Sequence, residues 1–192
     1  QDNDWLQGDM IEHGAGSRPV LADLNQDGLL DLLVGNFHAY KPVLNKESRI
    51  AYYQNIGTAS APAFILVDNN FLDLANSGLG LNFMPSVGDL NNDGKPELII
   101  GRDNGQLALY LNTTTGSTPS FTLQTSILTD ATGSSIQVPM FASPQLFDLN
   151  EDGKQDLIIG YKGGGLIYYE NTGTTTNPLF TLQRSALGAI NV

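Results

Sequence analysis

The sequence predicts an all-β fold in which one four-stranded antiparallel unit is repeated three times along 192 residues. Three observations predict it. A nine-residue phrase recurs as DLNQDGLLD from Asp23, DLNNDGKPE from Asp89 and DLNEDGKQD from Asp148. The same succession of apolar runs surrounds each copy, and self-similarity on this scale marks a repeat architecture. Those runs are short, rich in Val, Ile, Leu and Tyr, and separated by Gly, Asn, Pro and Thr clusters, which is the pattern of strands rather than helices.

Taken in order, the first strand of each unit is PVLAD, PSVGD or PQLFD, running into the acidic phrase. The second leaves the phrase as LLVG to Gly35, LIIG to Gly101 and LIIG to Gly160. An aromatic third strand ends in asparagine: AYYQN to Asn55, LALYLN to Asn112, IYYEN to Asn171. A fourth begins at Pro-x-Phe, ending on Phe64, Phe121 and Phe180. Four short antiparallel strands per unit, repeated radially, are the plan of a β-propeller blade. Blades are expected at about 17–67, 83–124 and 140–184 of a single repeat domain, 1–192. Propellers usually close with about four to eight blades. Three blades therefore predict either a segment of a larger propeller or half of a dimeric six-bladed ring. The tyrosine pairs Tyr52/Tyr53 and Tyr168/Tyr169 alternate across their strand, placing one ring on each face for packing between blades.

The acidic phrase sets oxygen-bearing side chains at positions 1, 3, 5 and 9 around a glycine at position 6, the layout that wraps a hard divalent cation. The candidate ligands are Asp23, Asn25, Asp27 and Asp31 with the Leu29 carbonyl; Asp89, Asn91, Asp93 and Glu97 with the Lys95 carbonyl; and Asp148, Asn150, Asp152 and Asp156 with the Lys154 carbonyl. An oxygen-only set of flexible number favours calcium over magnesium or zinc, and three loops imply about three ions. An EF-hand would need Glu at position 12 and flanking helices. Position 12 is Val34, Ile100 or Ile159, each inside a strand pattern, so that alternative fails. Asp/Asn/Gly-rich turns without an ion remain the competing reading. Glu97, with Pro96 beside it, makes the second loop the odd one.

Composition limits the function. Twenty acidic against nine basic side chains give a formal charge of −11, which disfavours nucleic-acid phosphates and anionic lipid as partners. There is no cysteine and no apolar run long enough to span a membrane. The first residues, QDNDWLQGDM, lack the basic start and apolar middle of a signal peptide.

The loop phrase, the hydrophobic-Gly strand and the YYxN-TGT-xxP-x-F ending together resemble the FG-GAP/VCBS repeat family, over nearly the whole chain. The Phe-Gly and Gly-Ala-Pro words that name that family are degenerate here, with VGN, IGR and IGY in their place. The resemblance implies calcium-binding blades related to those of integrin α-subunit propellers. It also implies an extracellular, cell-surface or periplasmic setting and a protein or glycan partner.

Between Gly35 and Tyr52 the first unit carries nine residues more than the others. This insert, Asn36 to Arg49, opens on the end of the blade opposite the acidic loops. It brings Phe37, His38, Tyr40, Lys41, Lys46 and Arg49, and the equivalent short loops add Arg102 and Lys162. Five of the nine basic residues would then gather on one face, a candidate for an anionic or hydroxyl-rich ligand; a solvated loop with no ligand is the competing reading. His13 and His38 are isolated, and Gly163 to Gly165 is followed by no helix that would make it a phosphate cradle. No catalytic group is expected. The reading is a non-enzymatic, calcium-binding propeller segment for extracellular adhesion or ligand recognition. The alternative is an accessory or scaffold portion of a secreted carbohydrate-active enzyme.

Overall fold

In the computed structural model, residues 13–40 and 46–185 are described. The chain forms three four-stranded antiparallel sheets. Blade 1 runs β1 (Arg18–Ala22), β2 (Asp31–Gly35), a small ribbon of β3 (Ala39–Tyr40) and β4 (Lys46–Glu47), then β5 (Ile50–Asn55) and β6 (Phe64–Asp68). Blade 2 comprises β7 (Met84–Gly88), β8 (Glu97–Gly101), β9 (Leu107–Asn112) and β10 (Phe121–Thr125). Blade 3 comprises β11 (Ser143–Phe147), β12 (Asp156–Gly160), β13 (Leu166–Asn171) and β14 (Phe180–Arg184). Each blade is a meander in sequence order, with the ribbon β3–β4 as a separate two-stranded sheet inserted in blade 1.

The register is copied from blade to blade. Ala22 pairs Asp31, Gly88 pairs Glu97 and Phe147 pairs Asp156, so position 9 of each acidic phrase is the first residue of a strand. At the third and fourth strands each blade slips by one residue: Tyr53 faces Leu66 but Tyr52 faces Asp68, and Tyr169 faces Leu182 but Tyr168 faces Arg184. In blade 2 the slip lies between Leu123 and Thr125. A bulge at the same place in every outer strand adds local twist.

The uninterrupted apolar second strands follow from burial on both faces. Alternation sends Leu33, Ile50 and Tyr52 into a cluster with Leu98, Ile100, Ala108 and Tyr110 of blade 2. The other face of blade 2, with Ile99, Leu107 and Leu109, packs on Leu157, Ile159 and Tyr169 of blade 3. Tyr53 turns the opposite way from Tyr52, into a cluster with Leu32, Val34, Ala51 and Phe64. Blades thus stack face to face through their strands, β1 on β7 and β7 on β11.

The glycine that closes the second strand of blades 1 and 2 is a joint. A Cβ on Gly35 would lie 2.2 Å from the Phe83 carbonyl oxygen and 2.7 Å from Pro85. On Gly101 it would lie 2.1 Å from the Ala142 oxygen and 2.6 Å from Pro144. Only a residue without a side chain lets the lead-in of the following blade rest there.

Two connections are structured in a way the strand pattern did not announce. A short 3-10 segment, Phe71–Asn76, kinked at Leu72 and Asp73, buries Phe71 and Leu74 between blades 1 and 2. The Phe71 ring sits 5.3 Å from Tyr52 and 5.8 Å from Phe121. Between blades 2 and 3, Leu128, Ile136 and Val138 enter the core instead.

Candidate functional site

The acidic loops join the first and second strands of each blade and share one internal geometry. In the first, the Asp27 and Gly28 amides donate to the two Asp23 carboxylate oxygens at 3.1 and 2.9 Å. Asp27 N–H also donates to Asn25 Oδ1, and Leu29 N–H to Asp27 Oδ1. The second loop repeats this with Asp89, Asn91, Asp93 and the Lys95 amide, and the third with Asp148, Asn150, Asp152 and the Lys154 amide. The backbone is left-handed at position 4 (Gln26, Asn92, Glu151) and at position 6 (Gly28, Gly94, Gly153). No atom would crowd a Cβ at any of these glycines, so their role is conformational. Side-chain oxygens at positions 1, 3 and 5 are turned onto the loop's own amides. Among the described residues, no three His, Cys, Asp or Glu side chains gather into a ready-made metal cluster.

Position 9 behaves differently from the rest of the phrase. Asp31, Glu97 and Asp156 are fully buried at the starts of β2, β8 and β12. Asp31 accepts from the Asn55 amide at 2.9 Å and the Tyr52 hydroxyl at 3.2 Å. Asp156 accepts from the Asn171 amide, the Tyr168 hydroxyl and the Leu149 amide. Glu97, one methylene longer, reaches back to the Leu90 amide at 2.8 Å and the Asn91 side chain at 3.2 Å. Burial pushes the Asp31 and Glu97 carboxyls above their ordinary range; the strand and loop donors pull them down, and the loop aspartates push them up again. The Tyr52 and Tyr168 hydroxyls are raised as well, first by burial and then by the adjoining carboxylate.

In blades 1 and 2 the asparagine closing the third strand latches the loop in place. Asn55 donates to the Leu30 carbonyl and accepts from the Gly57 and Ala63 amides. Asn112 donates to the Pro96 carbonyl and accepts from the Thr114 amide. Lysines at position 7 leave their side chains elsewhere: Lys95 donates to the Thr114 carbonyl, and Lys154 to the Gly173 carbonyl while pairing with Asp152 at 3.1 Å. Thr114 in turn reaches the Leu24 carbonyl, linking the second blade to the first loop. Neither the tyrosines nor the asparagines were assigned a role at the loops from sequence. In blades 1 and 3 the tyrosine stands three residues before the asparagine, and that shared ending was the available signal.

The opposite end of the blades carries the insert. Register puts Gly35, Gly101 and Gly160 at that end, remote from the loops. Phe37 stacks 4.8 Å from the buried His38 and 5.5 Å from Phe141 of the blade 3 lead-in. The exposed Lys162 ammonium lies 5.5 Å from the Phe141 ring, a cation–π distance. The structure therefore brings Phe37, His38 and Lys162 together through Phe141, a residue absent from the sequence-derived set. Arg102 lies inside the protein, donating to the Leu79 and Ser126 carbonyls and to Gln106 Oε1. Arg49 is half-buried. Lys46 is exposed and lines a groove of about 490 Å³ with Ser48, Gly78 and Leu81. Ser48 ties the insert to blade 2, donating to the Phe37 carbonyl and accepting from the Asn82 amide. Tyr40 lies in β3; Lys41 falls outside the described residues. Among the described residues no helix is long and apolar enough to cross a membrane.

Stacked four-stranded blades, each with an acidic loop between its first two strands, define a propeller-type repeat. Over 150 residues the chain is 28% identical to Integrin alpha-4 of Xenopus laevis, covering 76% of this chain and 14% of that protein. Over 162 residues it is 27% identical to human Integrin alpha-7, covering 81% of this chain and 13% of that one. The chain thus spans a small fraction of the length of the curated relatives it matches. No protein-family profile matches it.

Proposed function

We propose that this chain is a calcium-stabilised propeller segment that recognises an extracellular partner, protein or glycan, through the end of the blades opposite its acidic loops. The likeness to integrin alpha chains supports an adhesion or recognition role at the cell exterior and a non-catalytic one. Calcium would be held by Asp23, Asn25, Asp27, Asp31 and the Leu29 carbonyl, and by the matching sets in blades 2 and 3. Two features support the fit: an all-oxygen donor set in three loops of the same hydrogen-bonded geometry, and a buried carboxylate at the base of each. The bound ion supplies countercharge and stiffens the hairpin. The protein's own residues do the rest, with the Asn55 and Asn112 side chains fixing the first two loops to the strand behind them and the Asn171 amide holding Asp156 in the third.

The observation that carries the recognition reading is the Phe37–Phe141–Lys162 cluster, which joins blades 1 and 3 across the insert-bearing end. An aromatic pair with an exposed cation offers both stacking area and a charge for an acidic or hydroxyl-rich group. The test is binding to immobilised extracellular-matrix proteins and to a glycan array, for the parent chain and for Phe141→Ala and Lys162→Ala. The expected result is a partner whose binding falls at least about tenfold in both variants, the loss of one hot-spot contact, with melting temperature unchanged. Binding that survives both substitutions overturns this site.

A further inference from the structure

We propose that the groove between blades 2 and 3 is a docking site for an aromatic side chain of a partner protein, presented on a turn beside a lysine or arginine. The two junctions between blades follow one plan but are filled differently. Between blades 1 and 2, Phe71 of the linker lies 5.3 Å from Tyr52 of the third strand and 5.8 Å from Phe121, which opens the outer strand of the next blade. Between blades 2 and 3, Leu109 holds the register position of Tyr52 and Phe180 that of Phe121. Leu128 holds the position of Phe71, each standing seven residues after the phenylalanine that starts the preceding outer strand. The second junction thus keeps the outer-strand phenylalanine and has leucine in place of both other rings. The space remains as a cavity of about 460 Å³, with Leu90, Leu109, Leu128 and Phe180 as its buried apolar floor.

The rim changes in the opposite sense. Where the first junction has Asn70 in the linker and Ser120 before the outer strand, the second has Ile127 and Leu179, 38% and 45% exposed. Thr114 closes the first junction near its acidic loop, its hydroxyl reaching the Leu24 carbonyl at 3.4 Å; the counterpart in the second is Gly173, which has no side chain to do so. Rings missing from the floor and apolar side chains added to the rim both cost the isolated chain, and both costs are recovered when an aromatic group enters from outside. The chain's own filling of the first junction indicates the form of the occupant, since Phe71 enters from a short kinked turn. Charge indicates what stands beside the ring. Asp130 lines the groove with its Oδ1 held by the Thr132 and Ser134 amides, which fixes the carboxylate at the edge. Among the described residues no lysine or arginine lines it, so a basic neighbour of the incoming ring meets an anion without a competitor in the groove.

The test is amide NMR of the full chain in calcium-containing buffer, titrated with the capped tetrapeptide Gly-Phe-Lys-Gly. Capped Gly-Ala-Lys-Gly, capped Gly-Phe-Glu-Gly and N-acetylglucosamine are titrated beside it. The expected result is a saturable set of shifts around Leu109, Leu128 and Phe180, with affinity at least about tenfold weaker without the ring. Reversing the charge should weaken it roughly threefold, the scale of an exposed ion pair. Leu128→Phe restores a ring of the first junction and should cut the affinity at least about tenfold in a folded chain. Asp130→Asn keeps the Oδ1 acceptor, and so the turn, and should abolish the preference for lysine over glutamate. Phe141→Ala and Lys162→Ala, at the other end of the blades, should leave the titration unchanged, so this site and that one stand or fall separately. No saturable shift, shifts elsewhere on the chain, or equal binding of the alanine peptide or the sugar overturns the proposal. So does undiminished binding to Leu128→Phe, a lysine preference that survives Asp130→Asn, or loss of binding in Phe141→Ala or Lys162→Ala.

Discussion

Tyr52 donates its hydroxyl to the buried Asp31 carboxylate at 3.2 Å, and Tyr168 does the same for Asp156 at 2.9 Å. Blade 2 replaces both members together: Glu97 stands for the aspartate and Leu109 for the tyrosine. The longer carboxylate keeps the leucine amide that Asp156 also uses, Leu90 standing for Leu149, and takes the Asn91 side chain as donor where the tyrosine is missing. Removing the donor without changing the acceptor exposes the cost. Tyr52→Phe should destabilise the chain by about 1.5–3 kcal/mol, the range for hydrogen bonds to charged groups, measured by urea denaturation. Tyr168→Phe should cost less, since Tyr168 is only half-buried and water can replace it.

Calcium removal should lower stability. An ion bound only by the folded chain contributes about 2.7 kcal/mol per site when present at a hundred times its dissociation constant. Calorimetric melting in calcium and in EDTA checks this. A Tm indifferent to the chelator refutes the metal reading of the loops.

The third loop should bind calcium more weakly than the first. Lys154 pairs with Asp152 at 3.1 Å, competing with a cation for one of its proposed ligands, whereas position 7 of the first loop is Leu29. Lys154→Leu should tighten the weakest calcium site seen by isothermal titration, by several-fold. No change in the binding isotherm would show that the ammonium does not compete.

Gly101→Ala should destabilise by about 2–3 kcal/mol, within the range for overpacking a close contact, because its Cβ would press on the Ala142 carbonyl at 2.1 Å. Gly160→Ala should change stability little, since a Cβ there would meet nothing nearer than 3.6 Å. The comparison uses chemical denaturation of both variants.

Arg102 ties the linkers on either side of blade 2 to its β8–β9 turn through the Leu79 and Ser126 carbonyls and Gln106. Burial lowers its pKa, but it stays charged at neutral pH. Arg102→Ala strands those acceptors and should cost about 2–4 kcal/mol, each unsatisfied buried group accounting for about 1–3. Arg102→Lys should recover only part of this, since the three donors of an ammonium sit on one nitrogen and cannot span acceptors that the guanidinium reaches from two.

The blades were legible because their signals are local. Each strand is a short apolar run with its own terminator, and Asp23, Asp89 and Asp148 recur with the same flanks. Val34, Ile100 and Ile159 lie inside β2, β8 and β12, where strand periodicity put them. The turn at Phe71–Asn76 was not legible, because a kinked 3-10 segment has no periodicity and is held by its contacts with Tyr52 and Phe121. For the same reason Arg102 read as a surface charge. It follows a glycine in a loop-like RDNG stretch, and only the folded linkers surround it with carbonyls.

From sequence alone came the repeat, the strand order and the acidic phrases, all of which depend on neighbours along the chain. Tertiary structure decided what each repeated residue touches. It made Tyr52 a donor to Asp31, set Phe141 beside Phe37 and Lys162, and left Gly160 open where Gly35 and Gly101 are filled. The physical reason is that burial is a property of a face, not of a residue. Three copies of one unit have the same local sequence, but each has different neighbours in the stack, and those neighbours determine which surfaces remain to be used.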